Sequence, residues 1–175
     1  MKNIKLSSFN IALLGVVLFL FSACEPSNET QVQISVQSSA AGPFFPGPNS
    51  LMADYEVNLA ALKGLENVSP ERIKEIKINS ISLNLNEADS INFDSFSSAS
   101  LQIVGSNTGM QTIAIKNPIS SKTRELALQV SDEVKIVDYF KSEKFSLVLD
   151  LDFIDESYDE EIGAMIVMDL TIKYN

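Results

Sequence analysis

The chain has 175 residues, with 23 acidic and 13 basic side chains, one cysteine, and neither histidine nor tryptophan. Without histidine, Ser-His-Asp and Cys-His catalysis and every His-ligated metal site are excluded. A formal charge of −10 repels phosphate backbones, so nucleic acid is not an expected partner.

Lys2 and Lys5 open the chain, the apolar run Ile11–Phe21 follows, and Ser22 and Ala23 precede Cys24. Basic start, apolar run and small residues are the order of a secretory signal. The run is too short for a spanning helix, which needs about 20 apolar residues. Phe21-Ser22-Ala23-Cys24 resembles the lipobox of bacterial lipoproteins, with Phe where Leu is usual. The resemblance implies cleavage before Cys24 and acylation of its thiol. More than one acyl chain gives stable membrane anchoring. The expected organisation is a signal peptide at 1–23, a lipidated cysteine and tether at 24–30, and a folded domain at 31–175. The expected location is the cell envelope, on the outer membrane. With Cys24 acylated, no thiol is left for a disulfide, redox or nucleophilic chemistry.

Beyond the tether the sequence reads as strands. Val32, Ile34 and Val36 alternate with Gln31, Gln33, Ser35 and Gln37, the pattern of a half-buried strand. Ala40–Ser50 reads as a loop from its Pro and Gly content, and Tyr55, Val57 and Leu59 suggest a second strand. Ser69-Pro70-Glu71 is an N-cap, N1 proline and acidic first turn, predicting a short helix ending near Ile76. In the strand that follows, the apolar phase changes between Ile78 and Ile81, which places a β-bulge near Asn79–Ser80; two short strands would explain it equally. Ser98–Val104 and a strand through Ile113 and Ile115 flank the turn Gly105–Gly109 as a hairpin. Leu126, Leu128 and Val130 form another strand, and Asp138–Lys141 a helical turn. Phe145 to Phe153 and Ala164 to Tyr174 alternate throughout, which predicts a tall antiparallel hairpin with the acidic stretch Asp155–Glu161 at its tip. Seven or eight such strands predict an all-β, antiparallel two-sheet sandwich, with a closed barrel as the second choice. Ile73–Leu85, Ile91–Phe96 with Leu101–Ile103, and Val137–Leu149 are similar to segments of small bacterial β-sandwich lipoproteins. That resemblance implies the same fold and carries no functional residues with it.

The acidic residues Asp155, Glu156, Asp159, Glu160 and Glu161, with Asp150 and Asp152, could offer oxygen ligands to Ca²⁺. They lack the Asp-x-Asp-x-Asn-Gly spacing, and a solvated charged tip explains them as well. Phe44 and Phe45, between Pro43 and Pro46, could contact a partner or plug one end of the fold. Asp89-Ser90-Ile91 resembles an O-glycosylation acceptor, and Asn28-Glu29-Thr30 fits an N-glycosylation pattern. The expectation is a membrane-anchored binding or structural module that contacts an envelope protein or a glycan, without enzyme activity and without a cofactor. The alternative is a carboxylate-based or Ca²⁺-assisted enzyme acting on glycans, for which two carboxyls would have to meet at a fixed separation.

Overall fold

The structure, a computed structural model, describes residues 27–87, 90–120, 122–154 and 157–175. Cys24 and the signal segment, Asp89, Asp155 and Glu156 lie outside the described residues.

Among the described residues, eight strands form the fold, β1 (Asn28–Ala40), β2 (Gly47–Glu56), β3 (Ile73–Leu85), β4 (Phe96–Gly105), β5 (Gly109–Lys116), β6 (Glu125–Val130), β7 (Lys144–Phe153) and β8 (Ile162–Tyr174), with one short α-helix, α1 (Val137–Phe140). They close into a single antiparallel barrel in the order β1-β2-β7-β4-β5-β6-β3-β8. First pairs with last, second with seventh, third with sixth and fourth with fifth. This is a long hairpin wound into two Greek keys, as in jelly rolls.

Closure corrects the expected two-sheet sandwich. Alternation fixes which side chains point inward, and those positions are the same for open and closed sheets. Closure is decided at two thin seams that leave no periodic trace. At one, β1 meets β2 at the single pair Ser39↔Met52. At the other, β5 meets β6 at Ala114↔Val130 and Ile115↔Gln129.

The expected β7–β8 hairpin is also corrected. β7 lies between β2 and β4, and β8 lies between β1 and β3. Both are central strands with partners on each side, which their unbroken alternation does not reveal. The segment after β7 therefore crosses one end of the barrel.

Local readings fared better where a physical signal was present. The register shifts between Ile78 and Ser80, at the expected bulge. Ser69-Pro70-Glu71 does start a turn, but it is a 3-10 turn, Pro70–Arg72, and β3 follows at Ile73. β2 begins inside the expected loop, at Gly47. Apart from Ser39↔Met52 it pairs only with β7, so Pro48 lies where β2 has one neighbour and is tolerated as on an edge strand. A second bulge, between Leu101 and Gln102, turns Ala114 inward and leaves Ile115 exposed.

An eight-stranded barrel is just wide enough for side chains to fill its interior. Val32, Leu51, Ile81, Leu101, Ile113, Leu128, Leu149 and Met168 are buried, one from each strand. The outer face of β1 is polar, with Gln31, Gln33, Ser35 and Gln37 exposed, while β2 and β5 expose Met52, Met110 and Ile115 among their outer residues. A transmembrane barrel carries the opposite pattern, an apolar band outside and a polar interior.

Candidate functional site

Antiparallel pairing sorts every connection to one of two poles. β1 starts at the lower pole with Asn28 and delivers the chain to the upper pole at Ala40, about 40 Å along the strand. Among the described residues, the upper pole gathers 41–46, 86–87, 90–95, 117–120, 122–124, 154 and 157–161. The lower pole gathers Ser27, segments 57–72, 106–108 and 131–143, and the chain end.

Aromatic side chains plug the upper pole. Phe44 stacks on Phe153 at 5.5 Å between ring centroids, and Phe96 meets Phe153 edge-on at 4.6 Å and Phe93 at 6.1 Å. Such geometries suit the ring quadrupoles. The lower pole has its own set, with Phe145 5.1 Å from Tyr55 and 5.2 Å from Phe140 of α1. Leu65 and Ile136 are buried beside the same pole.

The upper pole brings together residues that the sequence holds more than a hundred positions apart. The Phe44 amide donates to the Tyr158 carbonyl at 2.7 Å, and the Tyr158 amide donates back at 3.0 Å. Gly42 passes so close that a Cβ there would sit 2.7 Å from the backbone of Asp159. The Tyr158 hydroxyl donates to Glu160 at 2.9 Å and lies 3.2 Å from the Ser90 hydroxyl. Phe44 is thus a plug, 4% exposed, while its neighbour Phe45 is 59% exposed.

Phe45 is held outward. The Asn49 side-chain amide donates to the carbonyls of Phe45 at 2.8 Å and Gly47 at 2.9 Å, and its oxygen accepts from the Phe45 amide at 3.4 Å. Ile154, which follows the Gly47↔Phe153 pair, is 54% exposed on the same pole. Asp159, Glu160 and Glu161 are exposed around them. Sequence reasoning missed Ile154 and Asn49. Ile154 looks like one more apolar residue after a strand, and Asn49 looks like loop composition.

Charge follows the same axis. Among the described residues of the upper pole, Glu87, Asp94, Glu125, Asp152, Asp159, Glu160 and Glu161 face only Lys116, Lys122 and Arg124. The lower pole is close to balanced, with Lys63, Arg72, Lys74, Lys77, Lys135, Lys141, Lys144 and Lys173 among its acids.

The carboxylates of the barrel wall are engaged pairwise across strands. Asp150 accepts from Ser50 at 2.5 Å and Gln102 at 2.6 Å, and Asp152 accepts from Ser97 at 2.7 Å. Asp169 accepts from Ser80 at 2.6 Å and Gln33 at 2.9 Å; these bonds, Ser80 first, hold its carboxyl below the ordinary range. Among the described residues no three Asp, Glu, Cys or His side chains are grouped to hold a metal ion. No protein-family model and no curated protein sequence matches the chain.

Proposed function

We propose that this chain is a lipid-anchored module of the bacterial envelope that binds a partner at the barrel pole opposite its membrane attachment. The lipobox-like Phe21–Cys24 motif supports the anchor. Between Cys24 and the start of β1 lie only Glu25, Pro26 and Ser27. Three residues reach about 10 Å when extended, so the lower pole rests near the bilayer and the upper pole faces away from it.

The observation that carries the binding reading is Phe45. An exposed aromatic ring on a loop pinned by Asn49, Phe44 and Tyr158 has already lost much of the freedom that binding would otherwise cost. Aromatic anchors of this kind dominate interface energetics. The acidic surround steers partners with a basic contact face and sets a dependence on ionic strength.

Two experiments test the two halves of the proposal. Cys24→Ala should abolish acylation and release the protein from membranes; retention in the membrane fraction contradicts the anchor. For binding, the lipidated protein and its Phe45→Ala variant are captured from native membranes. A partner lost with the ring supports the reading, and an identical set of co-purifying proteins overturns it.

A further inference from the structure

The barrel wall is open along part of β3. β3 pairs with β8 from Ile73 to Leu85, but with β6 only from Ile81 to Asn84. From Gln129, β6 turns to β5 instead. The chain then runs through 131–136 without a backbone hydrogen bond to β3 among the described residues. A groove of about 910 Å³ separates the two, with Ile78, Leu128, Val130 and Val134 among its apolar lining. The edge of β3 along it presents unpaired main-chain groups, the template that an added strand requires.

Bulges at Lys74 and Asn79 bound this edge, where the register shifts between Ile73 and Glu75 and between Ile78 and Ser80. They confine regular strand geometry to Glu75–Ile78, so an added strand must be short. Its charge is set by the edge. Lys173 neutralises Glu75 at 2.9 Å. Lys74 and Lys77 are exposed and, among the described residues, have no carboxylate within ion-pair distance. Opposite charges across strands stabilise a pair and like charges destabilise it. A second copy docked edge to edge would add two more lysines to the same ladder. Asp132 and Glu133 lie on the far wall, in the turn after β6, together with Lys135, so that wall carries little net charge and the lysines of β3 set the preference.

We propose that the groove between β3 and segment 131–137 accepts a short extended peptide of alternating apolar and acidic residues, added as a strand to the open edge of β3. Its apolar side chains lie over Ile78, Leu128 and Val134, and its acidic side chains stand beside Lys74 and Lys77. The site is independent of the upper pole and of membrane anchoring.

The test uses a fluorescent peptide alternating Glu and Val, and a Lys–Val counterpart, with the folded chain from residue 24 onward. Anisotropy should show binding of the Glu–Val peptide alone, and amide exchange should slow within Glu75–Ile78. The double variant K74E/K77E should lose about fivefold in affinity for that peptide, as one reversed cross-strand pair at Lys77 beside a reversed charge at Lys74 implies. Its melting temperature confirms that it folds. Failure of the Glu–Val peptide to bind, equal binding of both peptides, or protection of Glu75–Ile78 that rises with protein concentration alone would each overturn the proposal. The last result would assign the edge to a second copy.

Discussion

Both poles of the barrel are closed by aromatic side chains, yet among the described residues only the upper one also holds an aromatic ring out in solvent. At the lower pole Tyr55, Phe140 and Phe145 pack inward under α1, and the surface above them mixes lysines with acids. At the upper pole Phe44 does the inward work, and Phe45 beside it does not. Closing an eight-stranded barrel explains one ring per position; it does not explain Phe45, a buttressing Asn49 or the excess of carboxylates. The difference separates what the fold requires from what is left for recognition.

Substitutions sharpen that separation. The largest effects fall on the plugs: Phe44→Ala and Phe140→Ala should each cost about 3–5 kcal/mol in denaturant unfolding, whereas Phe45→Ala should stay within about 0.5 kcal/mol. Equal costs for the adjacent phenylalanines would erase the distinction. Gly42→Ala comes next. Its Cβ would press on the Asp159 backbone, so a loss of about 1–3 kcal/mol is expected, with faster exchange at the Phe44 and Tyr158 amides. A wild-type melting curve would show that the two segments are not locked together. Asn49→Ala should cost about 1 kcal/mol and loosen Phe45 without unplugging Phe44; unchanged exchange at the Phe45 amide would argue that the asparagine buttresses nothing.

The smallest effect belongs to the barrel wall and should not distinguish the poles at all. Ser80 and Gln33 depress the Asp169 carboxyl below its ordinary value of 3.8. A depressed carboxyl stabilises the fold fully above the unfolded value, and the contribution is lost as pH falls through the folded one. Asp169→Asn should therefore slightly flatten the loss of stability below about pH 4. An acid limb identical to that of the unaltered protein would show that the carboxylate contributes nothing.

The sequence made the strands legible because a buried face imposes a period of two on each of them. It also located the bulge at Asn79–Ser80, since an extra residue inverts that period. It did not show that Phe145–Phe153 and Ala164–Tyr174 belong to different neighbourhoods, because pairing partners are chosen by topology and not by alternation. Closure at Ser39↔Met52 was invisible for the same reason. Of the candidate site, Phe44, Phe45 and Asp159–Glu161 were named from composition alone. That they meet at one pole follows from the strand topology, and the two hydrogen bonds between Phe44 and Tyr158 then hold them together; no local pattern announces either.

The most direct test of the account is site-specific photo-crosslinking of the lipidated protein in native membranes, with the reactive side chain at position 45 or at position 110. Met110 is 68% exposed beside the turn at the lower pole. The account predicts a discrete protein adduct from position 45 and none from position 110. Adducts from position 110 alone, or none from either, would contradict the claim that the upper pole is the binding surface.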